Sequence, residues 1–163
     1  MTTTSIAQAN NEATSQLITF RSGGQEFGAD IMMIREIRGL MPMTPLPHSP
    51  DYVCGVLNLR GVILPVVDLK AMLGRGQTDA TAKNVTIVIR CQGRAMGLLV
   101  DAVSDILTVK TSQIQPAPDM SSSDEHRIVE GIAVVDERMV TILGLERLTA
   151  SVAGSAAPTQ TAA

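Results

Sequence analysis

Aromatic rings are nearly absent from this chain: two Phe (Phe20, Phe27), one Tyr (Tyr52) and no Trp in 163 residues. Single-stranded nucleic acid is held on exposed aromatic platforms, which three rings cannot furnish. A basic excess is missing too. Thirteen Lys and Arg face sixteen Asp and Glu, for a net charge of −3, whereas a phosphate backbone calls for a basic stripe. No nucleic-acid partner is expected. Cysteine is limited to Cys54 and Cys91, far apart and outside any CxxC pair. They read as two free thiols in a reducing cytosol, not as a disulfide framework or zinc site. The two histidines, His48 in a proline-rich stretch and His126 in a polar one, lack HExxH spacing, so no metal is expected. There is no GxSxG elbow, GxxxxGK[ST] loop or GxGxxG fingerprint, and nothing pairs Asp30, Asp68 or Asp101 as acid and base. Catalysis therefore has no positive support, no cofactor is expected, and binding becomes the leading class. Long apolar runs are lacking as well. Stretches such as Val62–Val67 are short and broken by Pro65, well under a membrane span. The N-terminus (MTTTSIAQANNEATS) has neither the basic region nor the apolar stretch of a signal peptide. A cytoplasmic protein without direct membrane insertion is expected.

What is present is aliphatic. Apolar residues make up 45% and charged residues 18%, with nine Met, a globular composition. Residues 1–15 and 151–163 are polar or small and read as mobile tails, leaving 16–150 to fold. Within that span, four pairs of short apolar runs flank turn residues: 17–21 and 25–29 around Ser22-Gly23-Gly24, 53–59 and 62–69 around Arg60-Gly61, 85–91 and 95–100 around Gln92-Gly93, and 128–135 and 139–143 around Asp136-Glu137-Arg138. Each predicts a hairpin. Helical signals are confined to 69–73 and 144–148, while 31–37 fits a strand or a short helix. Four prolines make 41–50 an extended connector. Residues 74–84 and 116–126 are polar linkers.

The chain repeats itself weakly. At a shift of 69, Ile18 meets Ile87, Arg21 meets Arg90, Gly24 meets Gly93, Gly28 meets Gly97, and Ile34, Glu36 and Ile37 meet Val103, Asp105 and Ile106. At a shift of 76, Gly55 meets Gly131, Val66 meets Ile142 and Leu69 meets Leu145. Repeated glycines at turns mark a backbone constraint. Two copies of one β unit are expected, about 16–82 and 83–150, with exchange of strands between them allowed. Each copy is small enough to be marginal alone, so the two must share apolar surface.

The string Ile34-Arg35-Glu36-Ile37-Arg38-Gly39, a proline-rich connector, and then Tyr52-Val53-Cys54-Gly55-Val56-Leu57-Asn58-Leu59-Arg60-Gly61-Val62-Ile63-Leu64-Pro65-Val66-Val67-Asp68-Leu69 closely resemble the CheW family of bacterial chemotaxis coupling proteins. The resemblance continues through 97–107 and 113–118, closes at 131–148, and so spans nearly all of 16–150. It implies a mainly β fold of two SH3-like five-stranded barrels related by pseudo-symmetry, with short helical turns. It also implies a non-enzymatic adaptor without cofactor or metal. Such an adaptor links the cytoplasmic tips of chemoreceptors (methyl-accepting chemotaxis proteins) to the regulatory domain of the histidine kinase CheA, recruited to membrane-associated receptor arrays. One coupling unit is expected to use up the folded residues 16–150, so a stand-alone coupler is expected rather than a phosphotransfer, ATP-binding or receiver protein. The alternatives are the same coupling fold in a non-flagellar chemosensory pathway and, from another class, a small-ligand-binding β-barrel.

Glu36 and Arg60 stand in the two strongest motifs and are expected to form an ion pair beside a receptor groove, since Arg grips a carboxylate with two hydrogen bonds. Ile34, Val56, Leu57, Ile63 and Ile106 are candidates for lining that groove, although any one strand aliphatic fits simple core packing as well. A helical receptor tip would lay an apolar stripe there. Ile31 and Met120 look like kinase contacts. Met120 is an apolar residue in a polar loop, a frequent anchor, with folding back onto its own barrel as the alternative.

Overall fold

Four hairpins form where short apolar runs flank turn residues. The computed structural model describes residues 13–39, 41–79, 81, 83–116, 128–150 and 152. The hairpins are β1 (Thr14–Ser22) with β2 (Gln25–Asp30), β4 (Val53–Leu59) with β5 (Val62–Asp68), β6 (Val85–Cys91) with β7 (Arg94–Val100), and β10 (Val129–Val135) with β11 (Arg138–Leu143). Gly23-Gly24, Arg60-Gly61 and Gln92-Gly93 have positive φ at both central turn positions, the turn whose twist matches its flanking strands. The ambiguous 31–37 segment divides into a 3-10 turn (Ile31–Met33) and strand β3 (Ile34–Gly39). Two strands had no clear sequence signal: β8 (Ala102–Lys110) and the short β9 (Ile114–Pro116). Helix α1 (Leu69–Met72) starts on the buried Asp68, whose carboxylate accepts from Lys70 N at 3.0 Å and Ala71 N at 3.4 Å, satisfying donors the helix leaves open, and from the loop amide Thr78 N at 2.7 Å. Residues 145–150 form a second helical segment, α2.

The strands make two sheets, ordered β8-β1-β2-β11-β10-β9 and β3-β6-β7-β5-β4. Each sheet draws on both halves of the chain. The first takes β1 and β2 from the N-terminal half and β8–β11 from the C-terminal half; the second takes β3–β5 and β6–β7. Strands are thus exchanged, and the sheets do not divide at 82/83. The repeat holds at the level of register. Ile34 faces Ile89 as Val103 faces Phe20, and Ile37 faces Ile87 as Ile106 faces Ile18. The parallel contacts Val66–Gly97 and Ile142–Gly28 also correspond, as do bulges at Val53/Gly55 and Val129/Gly131. The fold is therefore two SH3-like five-stranded units, the first carrying β9 as a short sixth strand.

Apolar side chains form three clusters. Leu17, Val109, Ala133, Val140 and Ile142 fill the first barrel, and Leu57, Leu64, Val66 and Leu99 the second. A third, larger cluster joins Ile18, Phe20 and Phe27 of the first sheet to Ile87, Ile89 and Leu98 of the second, with Leu145 and Leu148 of α2. Strands buried on both faces read as continuous apolar runs rather than alternating ones, as in Ile87–Ile89 and Met96–Val100. This shared cluster is the junction the repeat demanded.

Two repeated glycines are set by close approach. A Cβ on Gly55 would lie 2.5 Å from the Thr44 carbonyl oxygen, and one on Gly131 would lie 2.8 Å from that of Gln115. Thr44 forms an isolated bridge to Val56, the counterpart of β9 against β10. Gly55→Ala should therefore cost roughly 2–3 kcal/mol, read as a lower midpoint in urea. An unchanged midpoint would show that the Thr44 backbone moves aside freely.

Candidate functional site

One end of the second barrel opens into a groove of about 510 Å³. It lies where the β4–β5 and β6–β7 turns meet a bulge in β3, with Thr149 and Val152 along one side. The bulge follows from pairing: Ile34 faces Ile89 and Glu36 faces Val88, so Arg35 is the extra residue. Bulges re-aim side chains, and this one brings Glu36 to the groove beside the β4–β5 turn. Arg60, in the left-handed region at φ 53° in that turn, donates to Glu36 Oε2. Arg38 donates to Oε1 at 3.2 Å. The Arg60 guanidinium holds the Glu36 carboxyl below the ordinary carboxylate range, with Arg38 adding to it and desolvation opposing. Glu36 is thus anionic throughout the physiological range, and the expected Glu36–Arg60 ion pair is present.

Beside the pair, Val62 and Ile63 are 55% and 61% exposed, an uncommon display for large aliphatics next to charge. Leu59, Leu64, Pro65 and Val88 complete an apolar floor. Arg35, Arg90 and Arg94 also line the groove, and none has a carboxylate partner among the described residues. Four arginines against one glutamate give it a positive balance on a protein of net charge −3.

Of the sequence-derived candidates, Glu36, Arg60 and Ile63 come together here. Leu57 does not: it is 3% exposed inside the core of the second barrel with Leu64, Val66 and Leu99. Period-two alternation along β4 turns it inward, and it is removed from the groove set. Ile34 is half-buried against the shared core. Val56 is half-buried between Pro65 and the Thr44 bridge. Ile106 is exposed on β8 of the other sheet, opposite Ile18, and does not line this groove. It is the repeat counterpart of Ile37, which is also exposed. Ile31 is half-buried at the start of the 3-10 turn. Met120 lies outside the described residues. Arg35, Arg90 and Arg94 were not singled out from sequence. The available signal was the pair of arginines bracketing a hairpin turn, Arg90-Cys91-Gln92-Gly93-Arg94.

Other chemistry is sparse. Burial, then the charge of Asp68, pushes the Cys54 thiol up to about 11, so it stays protonated, and Cys91 is buried. Among the described residues, no three His, Cys, Asp or Glu gather as metal ligands, and no helix is long and apolar enough to cross a membrane.

Comparison with known proteins gives a consistent result. A family model described as a CheW-like domain matches residues 16–153. The chain is 49% identical over 147 residues to the "Probable chemotaxis protein CheW" of Rhizobium etli, covering 90% of this chain and 95% of that protein. It is 50% identical over 131 residues to the chemotaxis protein CheW of Rhizobium meliloti, covering 80% and 84%. Among solved structures, that of the scaffolding protein TtCheW from Thermoanaerobacter tengcongensis superposes with a TM-score of 0.75 at 31% identity, over 80% of this chain and 89% of that one.

Proposed function

Since the chain belongs to the CheW family of chemotaxis proteins, we propose that it is a non-enzymatic adaptor coupling chemoreceptor tips to the regulatory domain of the histidine kinase CheA. In this reading it resides in the cytoplasm and is recruited to membrane-associated receptor arrays. One face holds the receptor tip. The observation that carries this is the groove at the end of the second barrel, where an ionised Glu36–Arg60 pair sits beside exposed Val62 and Ile63. A helix carrying an apolar stripe and flanking charges could cover both kinds of surface at once. Contacts to the kinase are assigned, from the sequence resemblance, to Ile31 and Met120. Coupling is then a matter of contact: a shift at one interface changes the free energy of the other. The shared core offers a route for that coupling, because buried side chains of the two sheets pack in one cluster.

The test is a three-component reconstitution. Receptor signalling fragment and kinase are mixed with and without this chain, and kinase autophosphorylation is followed. Receptor control of the kinase should appear only when the chain is present. Identical autophosphorylation in its presence and absence would overturn the proposal.

A further inference from the structure

The two ends of the pseudo-symmetric molecule differ, and the difference points to a ligand. In the first barrel, Asp105 occupies the bulge position that Glu36 occupies in the second. It accepts from Thr19 Oγ1 and, at 3.1 Å, from both terminal nitrogens of Arg138. Arg138 also reaches Glu26, with Nε to Oε1 at 3.2 Å and Nη2 to Oε2 at 2.9 Å. The arginine of this end is thus answered by two carboxylates of the same chain. Both Asp105 and Arg138 are pushed toward their charged forms by the contact.

In the second barrel the same positions are filled differently. A shift of 69 places Ala95 where Glu26 stands, Val88 where Thr19 stands and Arg35 where Ser104 stands; a shift of 76 places Val62 where Arg138 stands. The internal carboxylate Glu26 and its partner Arg138 are both lost, while arginines appear at positions 35 and 94, where the first barrel has Ser104 and Gln25. Arg35, Arg90 and Arg94 line the open groove without an acidic partner among the described residues, and their side chains are exposed. Guanidinium groups gathered around an apolar floor recognise a carboxylate flanked by aliphatic side chains.

We infer that the groove of the second barrel receives an Asp or Glu side chain from the receptor tip, which takes up beside Ala95 the place that Glu26 holds in the first barrel, gripped by Arg90 and Arg94. This rests on the receptor reading above and names the chemistry of its contact. The first barrel carries its own acid and offers no such vacancy; the second borrows one. The partner helix therefore presents an acidic residue beside the aliphatic stripe that covers Val62 and Ile63.

The experiment measures binding of the receptor signalling fragment and, separately, of the kinase regulatory domain, to the full chain at low and high salt. Two double variants are compared with wild type. R90E/R94E reverses the exposed arginines. V62R/A95E transplants the internal ion pair of the first barrel into the second. Thermal melting by circular dichroism checks that each variant folds. Both variants should weaken receptor binding by about tenfold or more, as loss of a charge-assisted contact does. Kinase binding should change little, and the salt dependence of receptor binding should shrink. Because Arg90 and Arg94 are exposed, the first variant remains informative if the second melts early. If wild type binds the receptor fragment and R90E/R94E binds it equally well, the carboxylate contact is wrong while the receptor reading stands. If kinase binding is lost instead, the occupant is wrong. If wild type does not bind the receptor fragment at all, the reading and the inference fall together.

Discussion

Phe20→Ala should cost about 3–5 kcal/mol, the usual penalty for emptying an aromatic site in a core, and both barrels should lose structure in one transition. Phe20 is fully buried on β1 of the first sheet. Its ring stacks on Phe27 with centroids 6.1 Å apart and planes at 21°. It belongs to the cluster that also contains Ile87, Ile89, Met96 and Leu98 of the second sheet. In the other repeat its counterpart is Ile89, itself fully buried in the same cluster. The two positions therefore face one another's sheets across the junction, and a cavity there weakens both barrels. With total stability of ordinary domains near 5–15 kcal/mol, a loss of this size leaves a protein close to unfolding. Urea titration followed by far-ultraviolet circular dichroism and by Tyr52 fluorescence would test it. Two separated transitions, or a penalty below about 1 kcal/mol, would show that the barrels are independent.

Arg60→Glu is expected to leave the fold nearly intact and to weaken receptor-fragment binding by about thirtyfold, the ~2 kcal/mol of an interface arginine. Arg60 is 71% exposed, and exposed ion pairs contribute little to stability. A glutamate in its place would set two carboxylates beside each other at Glu36 and remove one of the groove's positive charges. The compensating variant E36R/R60E separates two accounts. If the ion pair merely shapes the turn, the swap restores binding. If Arg60 meets the partner directly, binding stays weak. Unchanged affinity of R60E, with a normal melting curve, would remove Arg60 from the contact altogether.

The hairpins were legible because their turn dipeptides are local. Gly23-Gly24, Arg60-Gly61 and Gln92-Gly93 adopt positive φ where a matching twist is needed, and apolar runs flank each one. Strand β8 escaped notice because it is an edge strand with a bulge opposite Thr19. The bulge shifts its alternation by one residue, so no single period describes it. Leu57 illustrates the opposite failure. It stands in the same motif as Arg60 and is as aliphatic as Ile63, yet it lies inside the barrel while Ile63 is exposed. A motif records which residues travel together and says nothing of which face each one takes.

Sequence alone determined that the chain is a duplicated, aliphatic β protein, and its ordered motifs placed it beside the chemotaxis couplers. It also marked Glu36 and Arg60 as a pair, because they stand in the two strongest motifs and arginine can grip a carboxylate with two hydrogen bonds. Tertiary structure alone decided that strands cross between the halves, so that β1 and β2 pair with β8 and β11 rather than with β3 to β5. It alone gathered Arg35, Arg90 and Arg94 around one groove from positions up to 59 residues apart. Local propensity acts over a few residues, whereas the choice of sheet partner and the meeting of distant charges follow from burying one shared apolar junction.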